Sequence, residues 1–336
     1  MKIGFYNYYN TFNNNRMFDP DTQTTIGNDI FYPFWYLKQS GHERGISIST
    51  IDTEPLDSYD AIIFMDFPGY NNKFLKEVMF HDNLYLFLFE NEVVKPDNYD
   101  PLNYTHFKKI YSYNDKLVDN NRIFKFFLPN KIPGSISFKP EQKTKFCCMI
   151  LSNKHKTHPL ELYSERLRAI NWFETNHQSA FDFYGQGWGL TLPMKINQLK
   201  TVIQPVYNLF VSRHQSYRGT VQSKLDVLRN YKFSICYENA SIPGYISEKI
   251  FDCFLAGCVP VYLGAPNITD YIPENTFIDE RDFPDYAQLF KYLKNMPDEE
   301  YNGYLTAIER FITSEKIVPF SAEHFTKTIF SAVGVE

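Results

Sequence analysis

The stretch from Lys232 to Pro266, KFSICYENASIPGYISEKIFDCFLAGCVPVYLGAP, constrains this chain more than any other part of it. Lys232 to Tyr237 is an apolar run of strand length, Ile246 to Ala256 is spaced as a helix, and Val259 to Leu263 is a second β-branched run. Strand, loop, helix and strand thus follow one another as a single α/β unit. In an open sheet of such units a ligand sits beyond the carboxyl ends of the strands, where the next helix offers free N–H groups and a partial positive charge to phosphate. Gly244 gives the loop backbone room for a close approach, and Gly257 is placed to end the helix. Glu248 and Lys249 fall in the first helical turn, where lysine can reach a pyrophosphate and glutamate can accept from ribose or sugar hydroxyls. Taken alone, the same pair is also what any solvated helix carries.

Elsewhere the chain repeats this logic. Apolar runs at Lys2 to Tyr6, Gly45 to Thr50, Ala61 to Met65, Tyr85 to Phe89 and Lys109 to Ser112 alternate with mixed segments, as in an α/β sheet. Leu84 to Phe89 is apolar on successive residues, the pattern of a strand buried on both faces. A helix is expected over Asp29 to Gln39. Around Pro129 to Lys145 the composition turns to Pro, Gly, Ser and Lys, a linker signal. Beyond it the pattern predicts a strand at Phe146 to Leu151, a helix opened by Pro159 and running to Asn176, a strand at Phe181 to Tyr184 and a helix at Gln222 to Arg229. Tyr301 to Val333 reads as helical. With 336 residues the chain exceeds what one core usually organises, so two domains are expected. Their bounds are 1–138 and 143–314, with a terminal helix over 315–336 crossing back to the first.

Several chemistries are excluded. A net charge of −5 without a long Lys/Arg run argues against nucleic acid as a partner. The five cysteines, Cys147, Cys148, Cys236, Cys253 and Cys258, lack paired C-x-x-C spacing and read as reduced core thiols. Asp19-Pro20-Asp21 has the Asp-x-Asp form used for divalent metals, but turn-forming residues in an Asn-rich loop account for it. The eight histidines make no zinc pattern, so no metal site is expected. No Gly-x-Gly-x-x-Gly follows the first strand, which disfavours a nicotinamide dehydrogenase. No run suits a signal peptide or a transmembrane span, so a cytoplasmic protein is expected, with any membrane association peripheral.

YENxxxxxYISEK followed by AGCVPVYLGAP closely resembles the donor-binding signature of the α1,3/4-fucosyltransferases of glycosyltransferase family 10, in their bacterial form. The resemblance covers the second half well and the first half weakly. It implies the GT-B architecture, two facing Rossmann-like domains with the acceptor side first and the donor side second, and no metal or other cofactor. By position, Asn239, Tyr245, Glu248 and Lys249 match family residues that contact GDP-fucose, the lysine on phosphate and the glutamate near the ribose or fucose. An arginine of the first donor-domain helix also binds the pyrophosphate in the family. LELYSERLRAINWF offers Arg166, which suits the spacing better, and Arg168. Ser152 and Asn153, in the basic loop after the preceding strand, and Glu238 are further candidates.

An inverting transferase needs a base at the acceptor hydroxyl. Glu90 ends the strand YLFLFE at the sheet's carboxyl edge, and ENEVVKP resembles the segment that carries the family's catalytic carboxylate. Glu92, two residues on, is the alternative. The expected function is transfer of L-fucose from GDP-β-L-fucose to a glycan hydroxyl, inverting, with an α1,3-type linkage to GlcNAc or Glc of a lactosamine-like or surface-polysaccharide acceptor. The other readings are a GT-B transferase using a different nucleotide sugar for lipopolysaccharide or capsule, and a non-catalytic sugar-nucleotide-binding protein.

Overall fold

The computed structural model describes residues 1–22, 29–188 and 214–335. Two parallel sheets organise the chain. The first contains β1 (Lys2–Asn7), β2 (Ser47–Thr50), β3 (Ala61–Met65), β4 (Leu84–Leu88), β5 (Lys109–Ser112) and β6 (Ile123–Lys125), in the order β2-β1-β3-β4-β5-β6. The second contains β7 (Lys145–Ile150), β8 (Phe181–Tyr184), β9 (Tyr231–Tyr237), β10 (Val259–Leu263) and β11 (Ile278–Asp279), in the order β11-β10-β9-β7-β8. Both sheets start near the middle, step outward once and return past the starting strand. Each therefore has a switch point, between β1 and β3 in the first and between β7 and β9 in the second, where a crevice opens at the carboxyl edge. β3 and β4 are buried at every residue, as their unbroken apolar runs require.

The helices are α1 (Tyr32–Glu43), α2 (Lys73–Val78), α3 (Tyr163–His177), α4 (Lys224–Leu228), α5 (Glu248–Leu255), α6 (Tyr286–Asn295), α7 (Asp298–Ile312) and α8 (Ala322–Val333). Expected helices differ from these in instructive ways. Pro159 does not open α3. Residues 160–162 instead pair with the loop after β9, Leu162 N–H donating to the Asn239 carbonyl (3.0 Å) and Ser241 N–H to that of Leu160 (2.8 Å), so helical bonding starts only at Tyr163. α1 is shifted towards the C-terminus of its expected span, with Pro33 in its first turn. α5 begins two residues late because Ser247 is extended and serves as its N-cap. The terminal helical stretch is broken into α7, a 3-10 turn at Glu315–Phe320 containing Pro319, and α8.

α8 returns to the first sheet, where Phe325 packs edge-on against Phe34 of α1 (ring centroids 5.5 Å). The chain on either side of the crossing is stitched together by Asn130, whose N–H donates to the Phe320 carbonyl (2.7 Å) and whose carbonyl accepts from Ala322 (3.1 Å). All five cysteines are buried and unpaired.

The two halves meet along a polar seam. Asp115, beyond β5, accepts from Lys125 (2.6 Å) in its own half and from Tyr271 (2.6 Å) and Asn267 (2.9 Å) in the other. Gly244 lies against this seam with φ +77°. A Cβ there would meet the Tyr113 carbonyl at 2.3 Å and Lys125 Nζ at 2.6 Å. The close approach that this glycine permits is thus to the backbone of the first half. Gly244→Ala is expected to lower stability by roughly 2 kcal/mol or more in thermal unfolding, through strain and a displaced seam. Gly45→Ala, at φ +68° but with open space around it, should cost only about 1 kcal/mol.

Candidate active site

The donor side is built at the switch point between β7 and β9. α3 projects Arg166 inward beneath the end of β9, where it is 4% exposed. Its guanidinium donates to the Tyr237 carbonyl (2.6 and 3.2 Å) and to Asn239 Oδ1 (2.9 Å), and stands over the Tyr163 ring at 5.1 Å. Its described hydrogen-bond acceptors are all neutral. Burial lowers the affinity of this guanidinium for its proton, with the field of Glu238 opposing. A buried cation held by neutral acceptors leaves charge that an anion can complete. Arg168, two residues on, points into solvent and pairs with Glu165 at 2.9 Å, so the structure removes it from the donor side.

Ser247 and the start of α5 are fixed by Glu238. This carboxylate is fully enclosed and accepts from Ser247 N–H (2.7 Å), Ser247 Oγ (2.7 Å) and Lys249 Nζ (3.0 Å). With both oxygens engaged within the protein, it holds Ser247 and Lys249 in place. Lys249 also donates to Ser247 Oγ (2.9 Å). An ammonium has three protons, and one remains for a ligand. Burial works against the charge on Lys249, but the carboxylates of Glu238 and Glu248 outweigh it and raise its pKa. Burial would likewise raise Glu248, yet Lys249 and Lys224 hold that carboxylate down at about 2.

Lys224 was not expected here. It starts α4 and reaches Asp252 (3.1 Å) and Glu248 (3.5 Å). With Arg166, Lys249 and Asp252 it lines a cavity of about 30 Å³ between β7, β9 and α5. Nothing near Lys224 in the sequence signals this, because its partners lie 24 and 28 positions away. Ser152 and Asn153 lie at the carboxyl end of β7. Asn153 is tied to the loop after β8, its N–H donating to Gln186 and its amide to Gly187 (2.8 and 3.0 Å).

The first half contributes Glu90, just past β4. Tyr9 Oη donates to its Oε1 at 2.6 Å. Its backbone is held by Asp66, whose Oδ1 accepts from the N–H groups of Phe89 (2.8 Å) and Glu90 (2.9 Å) and from the Asn98 amide (2.6 Å). Asn98 and Tyr99 in turn donate to the Glu90 carbonyl. Asp66 has φ +67°, a left-handed conformation rare for a residue other than glycine. The signal that marks Glu90, a carboxylate closing an apolar strand at the sheet edge, also marks Asp66 after AIIFM, and sequence reasoning passed it over. Glu92 is half-buried and takes no part in this cluster among the described bonds.

Two tyrosines join the sides. Tyr245 is buried, its ring centroid 5.0 Å from that of Tyr113, while Tyr113 and Tyr99 share a hydroxyl hydrogen bond (2.8 Å) beneath Glu90. The Asn239 amide approaches the Tyr245 hydroxyl at 3.4 Å. Burial raises the pKa of both Tyr163 and Tyr245, and Glu90 of the first half adds to the rise in each.

Two facing Rossmann-like units with a charged crevice between their carboxyl edges make a GT-B fold. The family model "Glycosyltransferase family 10 (fucosyltransferase) C-term" matches residues 140–327, and the chain belongs to this family. Among curated relatives, the Helicobacter pylori alpha-(1,3)-fucosyltransferase FucT is 32% identical over 85 residues, 25% of this chain and 18% of the relative. The mouse 4-galactosyl-N-acetylglucosaminide 3-alpha-L-fucosyltransferase 9 is 29% identical over 172 residues, 50% of this chain and 38% of the relative. The chicken GDP-fucose protein O-fucosyltransferase 3 is 39% identical over 82 residues, 24% and 17% of the two chains. The matched segments thus span well under half of these relatives. Crystal structures of an α1,3-fucosyltransferase share the fold, at TM-score 0.59 and 16% identity with GDP bound (100% of this chain, 91% of that one) and 0.58 and 15% with GDP-fucose (99% and 90%).

Burial, with Glu90 adding to it, pushes Asp66 up to about 7 against three hydrogen bonds that favour its ionised form. The folded state therefore holds this proton more tightly than the unfolded chain. The stability it contributes is fully present below the ordinary aspartate pKa and is lost as pH rises through about 7. Asp66→Asn keeps an Oδ1 acceptor for all three donors and removes the titration. Its stability relative to wild type is expected to rise between pH 4 and 7, by at most about 1.4 kcal/mol per pH unit, in denaturant unfolding series across that range.

Proposed function

We propose that the chain transfers L-fucose from GDP-β-L-fucose to a glycan hydroxyl with inversion at the anomeric carbon. The observation that carries this reading is the buried link that sets Glu90 of one half against Arg166 of the other, running from the Glu90 carbonyl through Tyr99, Tyr113, Tyr245 and Asn239. Arg166 and the third proton of Lys249 receive the diphosphate. Glu248, ionised at neutral pH, accepts from ribose or fucose hydroxyls. Asn239 and Tyr245 have their polar groups committed to Arg166 and to each other, and they shape the pocket wall.

In the reaction the acceptor oxygen attacks the anomeric carbon and the bond from that carbon to the β-phosphate oxygen breaks. Glu90 takes the proton of the attacking hydroxyl, and GDP departs with its added negative charge against Arg166 and Lys249. Protein cations supply the offset to charge, so the activity should persist in EDTA. The donor has wider support than the acceptor: relatives named for fucosylating a galactosyl-N-acetylglucosaminide and for fucosylating protein both match this chain. An α1,3 linkage to the GlcNAc or Glc of a lactosamine-like or surface polysaccharide is the acceptor reading, and a protein hydroxyl is the second.

Release of the nucleoside diphosphate, GDP from GDP-fucose and GDP-mannose and UDP from UDP-galactose, with N-acetyllactosamine and EDTA present, should be stimulated by acceptor for GDP-fucose alone. Stimulation with another donor would reject the fucosyl reading. Glu90→Gln should reduce kcat by roughly 10²-fold or more with GDP affinity within about twofold, by steady-state rates and calorimetry. Unchanged turnover would move the base to Glu92.

A further inference from the structure

A hydroxyl that gives its proton to Glu90 must come within about 3 Å of the carboxylate, so the sugar bearing it must lie on whatever surrounds Glu90 on its open side. Tyr9 holds Oε1 and leaves Oε2. Tyr8 and Tyr9, in the loop after β1, are 43% and 42% exposed, while nearly every other large apolar side chain described is covered. Their rings meet edge to face with centroids 5.3 Å apart. Neither ring hangs loose. Lys95, itself buried, sets its ammonium over Tyr8 at 4.3 Å, and Tyr9 packs against Phe12 at 6.2 Å. Tyr70, 53% exposed in the loop after β3, adds a third open ring at the same edge of the sheet.

Exposed aromatic faces fixed from behind suit the C–H face of a pyranose, which presents apolar surface between its hydroxyls. They also offer nothing to neutralise an anion. Lys95, whose ammonium lies over the Tyr8 ring, is taken by both oxygens of Asp97 (2.7 and 2.8 Å). A carboxylate on the sugar would stand beside Glu90 without a partner. We propose that Tyr8 and Tyr9 form the acceptor subsite for an uncharged pyranose, stacked on the open ring faces with its reacting hydroxyl at Glu90 Oε2. This rests on the reading of Glu90 as the base, and Tyr9 additionally acts as a positioning residue for that carboxylate.

Binding is read by saturation-transfer and titration NMR on the GDP-saturated protein, with methyl N-acetyllactosaminide and its analogue carrying a carboxylate at C6 of the N-acetylglucosamine ring as probes. Tyr8→Ala should weaken the neutral probe by about five- to tenfold, and Tyr8→Phe should restore it. GDP affinity of each variant, by calorimetry, checks that the donor half is intact. Wild type should bind the neutral probe more tightly than the carboxylated one. Tyr9→Phe should lower kcat while leaving the probe's Kd within about twofold, and it should shift the pH profile of kcat, which a purely structural role would not do. Equal binding by Tyr8→Ala and wild type, a preference for the carboxylated probe, or no binding of the neutral probe by wild type would each overturn the subsite. Binding of the neutral probe, lost in Tyr8→Ala, without fucose transfer would uphold the subsite and reject the fucosyl reading instead.

Discussion

The contact between Tyr245 and Tyr113 is the one on which the rest of the active site depends. Glu90 belongs to one sheet and Arg166, Glu248 and Lys249 to the other, and no strand bonds join the sheets. What sets their separation is a buried aromatic pair with hydrogen bonds running outward from it. On one side Tyr113 reaches Tyr99 and so the Glu90 carbonyl; on the other Tyr245 meets Asn239 and so Arg166. Burial of this tilted pair in a close-packed interior limits how far its rings can move. Gly244, one residue before Tyr245, is the backbone counterpart, since only a residue without Cβ lets the loop lie on the Tyr113 carbonyl.

The donor side carries a related constraint, expressed in charge. Arg166, Lys224 and Lys249 surround a small cavity with Asp252, while Glu238 and Glu248 lie close by. Lysines 224 and 249 are bound by carboxylates that hold them protonated, and Arg166 is held by neutral acceptors. Fixing these groups before a ligand arrives costs folding free energy through desolvation and spares reorganisation when a diphosphate binds or departs. Asp66 does the same work for Glu90, trading a left-handed backbone and a disfavoured charge for three hydrogen bonds that fix the strand end.

How much of this was legible in the sequence follows from how each feature is encoded. β9, the loop after it and α5 are consecutive, so one contiguous segment displayed Asn239, Tyr245, Glu248 and Lys249 together. The choice between Arg166 and Arg168 was decided by helical phase: two residues along a helix turn the side chain through some 200°, which buries one and exposes the other. That Glu238 is enclosed was not legible, because adjacency to Asn239 says nothing about which way a residue faces at a strand end. Lys224, Asp66 and Tyr163 were missed because their partners are distant in sequence. β11, only two residues long, and the short helix α2 fell below the length at which apolar periodicity registers.

The shared order of the two sheets explains why the donor half was easier to read than the acceptor half. Each sheet opens a crevice between its first and third strands, and facing the halves brings both crevices to one cleft. Binding a nucleoside diphosphate calls for fixed charges at fixed positions, and these leave a recognisable string of residues. A neutral sugar is held by ring faces and scattered hydrogen bonds, which many arrangements of Tyr, Phe and Trp provide equally well. In a chain with 18% aromatic residues, Tyr8 and Tyr9 carry no mark in the sequence. Only the fold distinguishes them, by leaving them open beside Glu90 while it buries most of the rest.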